Sequence, residues 1–122
     1  MIKAQARTRT STEKGTPVEI DYVMDARGFT FPIEDSGKRN LRYQLVVVAW
    51  NEEEKNAGQA WQMLNLDLPP KGVTDAITNG IHSKRFLTLI PGMYQIYVGV
   101  IDENSKKIGT VVIPLKVPKS KG

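Results

Sequence analysis

Residues 87–117 read LTLIPGMYQIYVGVIDENSKKIGTVVIPLKV, and this stretch decides the fold. Two apolar runs are separated by Pro91-Gly92. Proline presets φ and glycine opens conformations closed to other residues, so the pair marks a sharp turn. Beyond it Tyr94, Ile96, Val98 and Val100 fall on one side of an extended chain, and Gln95, Tyr97, Gly99 and Ile101 on the other. A two-residue period rich in β-branched and aromatic residues predicts a strand. Its second side is only partly polar, which predicts a central strand with something covering part of both faces. Asp102-Glu103-Asn104-Ser105 makes a polar hairpin turn. The chain returns with Val111, Ile113, Leu115 and Val117 on one side and Thr110, Val112, Pro114 and Lys116 on the other. Pro114 cannot donate a ladder hydrogen bond, so this last strand belongs at a sheet edge or carries a bulge.

Leu89, Pro91, Gly92 and Tyr94 together resemble the tyrosine corner of immunoglobulin-like and fibronectin type III sandwiches. The resemblance implies that the Tyr94 phenol packs inside and that its hydroxyl bonds to backbone upstream, pinning the crossover between two sheets. The alternative is that Tyr94 is simply one apolar residue of the strand's inner face.

Working outward, residues 41–50 (LRYQLVVVAW) carry the second strongest pattern. Leu41, Tyr43, Leu45, Val47 and Ala49 share one side, and the strand becomes apolar on both sides towards its end, as in the middle of a sheet. Residues 2–10 alternate small residues with Lys3, Gln5, Arg7 and Arg9, predicting a first strand whose charged outer face discourages edge pairing. Val18, Ile20, Tyr22 and Met24 alternate with Glu19, Asp21, Val23 and Asp25, predicting a second strand with one wet face. Phe29-Thr30-Phe31 reads as a short strand before Pro32, and Asp35-Ser36-Gly37 as a turn. Asn51–Gly58 reads as a charged loop, and Gln59–Leu68 as a strand stopped by Pro69-Pro70. Residues 73–81 fit either a helical turn or a short crossing strand. The count is seven to eight antiparallel strands with turn signals every 8–12 residues and no long helix, which predicts an all-β, immunoglobulin-like or fibronectin type III-like sandwich. Residues 1–118 form one expected domain and 119–122 a frayed tail.

The 122 residues suffice for one domain with a sizeable core. Hydrophobic residues make up 40% and charged residues 25%, as in ordinary globular chains. No apolar run approaches the roughly 20 residues of a membrane helix, and MIKAQARTRT lacks the apolar core of a signal peptide. Cysteine is absent, which excludes disulfides, thiol catalysis and cysteine-based metal sites. His82 is the single histidine. It sits in a polar, turn-like segment beside Ser83, which an extended chain would direct elsewhere, so no Ser–His–Asp triad can be assembled. One histidine without cysteine also argues against a transition-metal site. Glu52-Glu53-Glu54 and Asp102-Glu103-Asn104 are acidic, but lack the alternating oxygen spacing and glycine of a calcium loop, so they read as solvated loops. No phosphate-binding glycine motif is present; Gly99 and Gly109 lie within strands. No catalytic residue, metal or cofactor is expected.

Three kinds of partner remain. Trp50 and Trp61 flank the acidic loop; exposed, they could stack on a sugar or anchor a protein. The ordinary expectation is that at least one of them is core. Lys3, Arg7 and Arg9 with a net charge of +4 permit nucleic acid, though basic residues are spread along the chain. Nothing sets an oligomeric state.

The run from Tyr22 to Phe31, then RYQLVVVAW, then KRFLTLIPGMYQIYVGVIDENSKKIGTVVIPLKVP, resembles a bacterial module. It is the β-sandwich segment that follows the von Willebrand factor A-like domain in secreted VWFA-related proteins of acidobacterial type. The similar features are Leu41-Arg42-Tyr43-Gln44-Leu45-Val46-Val47, the corner from Leu89 to Tyr94, the turn Val100-Ile101-Asp102, Gly109 and the closing Val117-Pro118. They span about the last two-thirds of the chain. The adhesion domain of that family is missing here, so no ligand site carries over. The resemblance implies a non-catalytic, extracytoplasmic accessory domain of a longer protein. The resulting expectation is a structural or protein-interaction module, with carbohydrate binding through Trp50 and Trp61 as the alternative and nucleic-acid binding as a weaker one.

Overall fold

Alternation in the sequence becomes alternation in burial throughout a computed structural model that describes residues 2–28 and 37–119. Seven strands are present among the described residues: β1 (Ile2–Thr8), β2 (Thr16–Met24), β3 (Arg39–Asn51), β4 (Asn56–Leu68), β5 (Ile81–Leu89), β6 (Gly92–Asp102) and β7 (Ile108–Val117). One helix, α1 (Pro70–Asn79), connects β4 to β5. The strands form two antiparallel sheets, one ordered β1-β2-β5 and the other β4-β3-β6-β7. This is an all-β, immunoglobulin-like sandwich with the strand partition of a fibronectin type III domain. The short strand expected at Phe29–Phe31 and the turn residues Asp35-Ser36 lie outside the described residues.

The core lies between the sheets. Val18, Ile20, Tyr22 and Met24 of β2 face Leu41, Tyr43, Leu45 and Val47 of β3 and Tyr94, Ile96, Val98 and Val100 of β6. Ile2, Ala4 and Ala6 of β1 pack on its margin, as their small size and alternation predict. Pro114 sits where its missing N–H is harmless, on edge strand β7 opposite Gln95.

Only Ile90 and Pro91 separate β5 from β6, yet the two strands belong to different sheets. The chain therefore crosses the sandwich in two residues. The buried Tyr94 hydroxyl donates to the Ile90 carbonyl at 2.6 Å, tying the first turn of β6 to the crossover itself. Leu89 is buried on the near side of the corner, while Pro91 is exposed and Gly92 opens β6.

Three expectations are corrected, and one left open is resolved. Residues 70–79, overlapping the stretch that fitted a helical turn or a crossing strand, are helical. Pro70 occupies the first helical position, where its absent N–H costs nothing, and Gly80 ends the helix with its N–H on the Ala76 carbonyl at 2.8 Å. Gly80 has φ 76°, and a Cβ there would lie 2.8 Å from Val23 Cγ2, so only glycine fits. His82 consequently lies on a strand, exposed, with Nε2 at 3.0 Å from the Asn79 carbonyl oxygen. Asp102 is not a solvated turn residue: it is fully buried and accepts from the Asn104 N–H and the Ser105 hydroxyl, so the hairpin closes around its carboxylate. Glu19, expected on a wet face, is 2% exposed, because the long side chains of neighbouring strands close over it.

Candidate functional site

The two outer faces of the sandwich are the places where side chains remain available. On the three-stranded sheet the register sets Arg7 beside Glu19 and Asp21 beside Lys84. Arg7 Nε lies 2.8 Å from Glu19 Oε2, Arg9 contacts the same oxygen at 2.7 Å, and Lys84 Nζ lies 3.7 Å from Oε1. Arg7 also binds Asp21. Its hydrogen bond is the main reason the Asp21 carboxyl titrates below its ordinary value. An open groove of about 730 Å³ on this side is lined by Lys3, Gln5, Arg7, Asp21, His82 and Lys84, among others. Of the three cations considered for nucleic acid, Arg7 and Arg9 are therefore engaged with carboxylates of the protein itself.

The outer face of the four-stranded sheet is different. The ladders place Trp61, Val46, Gly99 and Thr110 in one row across β4, β3, β6 and β7. The row on one side is Met63, Gln44, Ile101 and Ile108; on the other it is Gln59, Val48, Tyr97 and Val112. Trp50 and Gln95 lie one row further on. Of the nine large hydrophobic residues exposed among those described, six (Trp61, Met63, Met93, Tyr97, Ile108 and Val112) belong to this face; Phe86 lies on the outer face of the other sheet, Ile77 on α1 and Ile90 in the β5–β6 crossover. Its centre holds no charge. Arg42 and Asp67 on one end and Lys116 on the other mark the limits. Uncharged centre, aromatic and methionine content and a polar margin form the composition of a protein-contact surface.

Trp61 is 63% exposed, yet its ring is held. The indole Nε1 donates to Gln44 Oε1 at 3.0 Å, the Gln44 amide donates to Glu103, and Lys106 Nζ lies 2.7 Å from the other Glu103 oxygen. Lys106 first, and Gln44 second, hold the Glu103 carboxyl below its ordinary titration range. The chain of bonds fixes a large apolar ring in solvent, which lowers the entropy lost when a partner covers it.

Both tryptophans named from the sequence thus share one face, and neither is in the core cluster; Trp50 is half-buried. The expectation that one would be core is corrected: the inward positions flanking them on β3 and β4 are taken by Ala49 and Ala60. They stand four residues apart along β3, about 13 Å. Tyr97, Met63, Met93, Ile108 and Val112 were missed as surface residues. The signal was the partly apolar second side of β6, which predicted cover. Tyr97 is instead 46% exposed, and β6 is central because β3 and β7 flank it.

Among the described residues no group of three His, Asp or Glu side chains could hold a metal, and no helix is long and apolar enough to cross a membrane.

A scan of protein-family models and a search of curated proteins each find no match. Solved structures do match. One is a glycosyl hydrolase family 2 member from Bacteroides cellulosilyticus DSM 14838, with a TM-score of 0.64 and 12% identity, covering 93% of this chain and 14% of that one. Another is a β-glucuronidase from glycoside hydrolase family 2, with a TM-score of 0.58 and 11% identity, covering 93% of this chain and 11% of that one. The chain therefore spans a small part of each enzyme. At these identities the likeness establishes the β-sandwich fold alone.

Proposed function

We propose that this chain is a non-catalytic accessory β-sandwich that works by contact, docking the outer face of its four-stranded sheet on protein. The observation that carries the reading is the concentration of six of the nine exposed large apolar side chains on that one face, around a Trp61 held by Gln44. The Tyr94–Ile90 bond is read as a tyrosine corner, a device that stiffens the scaffold rather than a site. The occurrence of similar sandwiches as small parts of long enzymes supports an accessory role within a larger protein. In this proposal that protein is bacterial and extracytoplasmic, in keeping with the resemblance to the sandwich of VWFA-related proteins.

The test is the size and location of the native gene product, by immunoblotting cell fractions with an antibody to the domain. A band far above 13.6 kDa in the envelope or medium is expected. A band at 13.6 kDa in the cytoplasm overturns the accessory reading.

Carbohydrate is the second reading, favoured by Trp50 and Trp61 sharing a face with the amides of Gln44, Gln59 and Gln95. It requires tryptophan emission to shift on adding a polysaccharide; an unresponsive spectrum across a glycan panel removes it.

A further inference from the structure

Among the described residues the four-stranded sheet has two free edges, β4 and β7, and the three-stranded sheet two, β1 and β5. A free edge presents unpaired N–H and C=O groups, and proline or charge along it discourages another strand from adding there. β1 carries Lys3 and Arg7, β5 carries Lys84 and Arg85, and β7 carries Pro114 and Lys116. β4 has no such protection: from Asn56 to Leu66 it holds no proline and no charge.

The ladder fixes which backbone groups of β4 are free. Facing residues of antiparallel strands alternate between exchanging hydrogen bonds and not. The Glu103 N–H donates to the Arg42 carbonyl at 2.9 Å, so Arg42 and, in step with it, Gln44, Val46 and Val48 turn their backbone groups to β6. Leu41, Tyr43, Leu45 and Val47 turn theirs to β4, where they meet Leu66, Leu64, Gln62 and Ala60. Between these, Gln59, Trp61, Met63 and Asn65 point their N–H and C=O groups away from the sheet. Their side chains lie on its outer face, so free backbone and the exposed Trp61 and Met63 share one line.

The edge also has a charge beneath it. β4 and β5 lie against each other across one side of the sandwich: a Cβ on Gly58 would stand 3.3 Å from Leu89 Cδ2. The two strands run in opposite directions, so four residues along, Gln62 lies opposite Arg85. Arg85 shares the inward side of β5 with Leu87 and Leu89 and is half-buried. Among the described residues no carboxylate pairs with it. Burial and the Tyr22 hydroxyl raise the Tyr43 pKa and the Arg85 charge opposes the rise, so the guanidinium is within electrostatic reach of that hydroxyl. An inward-facing cation without a counter-ion favours a carboxylate brought to it.

Charge also excludes one occupant. Antiparallel pairing of β4 with β4 of a second copy brings both β5 edges under the junction, setting Lys84 and Arg85 of one copy beside those of the other. Like charges there oppose it.

We infer that the free edge of β4 takes an added strand from another protein. The strand is an extended segment hydrogen-bonded to Gln59, Trp61, Met63 and Asn65, with apolar side chains beside Trp61 and Met63 and a carboxylate on its other side, above Arg85. Main-chain bonds supply affinity in such an addition and alternate side chains supply specificity. The inference rests on the proposed reading of this sheet as a protein-docking surface, which the added strand would extend.

The test is selection of a random dodecapeptide display library on the 122-residue chain, then amide exchange of the chain with an enriched peptide bound. The expected peptides alternate apolar residues with others and carry Asp or Glu within the second set. Bound, they slow exchange of the Gln59, Trp61, Met63 and Asn65 amides. Arg85→Glu is expected to weaken the acidic peptide about tenfold or more and to turn the selection towards Lys or Arg. Met63→Pro deletes one of the four free N–H groups at a place where an edge strand tolerates proline, and is expected to weaken the peptide as well. Should that variant fail to fold, the exchange pattern and Arg85→Glu carry the test. Three results overturn the inference: no enriched peptide, an enriched peptide that leaves the four amides exchanging as before, or equal affinity for wild type and Arg85→Glu. None of them changes the size of the native gene product, so failure here is distinguishable from failure of the accessory reading.

Discussion

The two outer faces of this sandwich solve the same problem in opposite ways. On the three-stranded sheet Phe86 is the one large apolar side chain exposed near the centre, and the charges around it are matched internally: Glu19 receives Arg7, Arg9 and Lys84, and Asp21 receives Arg7. On the four-stranded sheet the corresponding centre is apolar, uncharged and open. A solvated ion-pair network satisfies its own groups and gains little from a partner. An apolar face gains in proportion to the area it removes from water. On the proposed reading the difference assigns the faces: one completes the domain against solvent, the other is the docking surface.

The sharpest way to break this comparison is within β3, whose side chains alternate between core and outer face. Leu45→Ala removes a fully buried side chain and is expected to cost about 2–5 kcal/mol. Val46→Ala, one residue away and facing outward, is expected to cost under about 1 kcal/mol in a dilute denaturant melt. Equal losses at the two positions would mean that the outer face is already covered.

Next in size is the bond from Tyr94 to the crossover between the two sheets. Tyr94→Phe leaves the Ile90 carbonyl without its 2.6 Å partner and is expected to cost about 1–3 kcal/mol. A loss below the error of the melt removes the corner as a structural device. The phenol also has a pH signature. Burial raises the Tyr94 pKa above 10.0, and burial followed by the adjacent Tyr22 hydroxyl raises that of Tyr43. A raised folded-state pKa contributes stability that is complete below pH 10 and is lost as pH climbs through the folded value. The gap between wild type and Tyr94→Phe is therefore expected to narrow above pH 10.

These elements differ in how legible they were. The corner, the two central strands and the edge strand follow from local facts: a Pro-Gly pair, a two-residue period, a proline that cannot join a ladder. Helix α1 was half-legible, since Pro70 and Gly80 bracket it, but ten residues without a clean apolar stripe do not separate a helix from a crossing strand. Burial of Glu19 and Asp102 was not legible at all. It depends on Arg9 arriving from beyond β1 and Lys84 from β5, and on Ser105 turning back in the hairpin, none of which is a pattern along one segment. The same holds for the outer face. Alternation showed that Tyr97 and Gly99 share a side, but only the register of four strands brings Trp61, Tyr97, Ile108 and Val112 together.

On the charged face the expected effects are smaller. Glu19→Gln is expected to cost on the order of 1 kcal/mol, since the arginines it would release are half-exposed and can be hydrated. The loss should shrink between 0.01 M and about 1 M salt as screening weakens the pairs. Asp21 adds an acid limb. Arg7 lowers its pKa below 3.8, so its contribution is present above that value and fades as pH falls through the folded one. Asp21→Asn is expected to flatten that limb in an acid titration followed by circular dichroism. A salt-independent Glu19→Gln would show that the network contributes packing rather than charge pairing.

The smallest effect on stability is expected where the effect on association is largest. Trp61→Ala removes a ring that is 63% exposed, so the melt of the dilute chain should move by no more than about 0.5 kcal/mol. The released Gln44 Oε1 can turn to water. A loss of 2 kcal/mol or more would place the indole in the fold's own packing, and the contrast between the two faces would fail. The apolar face separates stability from binding because its side chains lie outside the core yet are held in place by the sheet beneath them. Trp61 is the residue where the two quantities part most widely: the bonds through Gln44 and Glu103 fix its orientation, while most of its surface remains in water until a partner arrives.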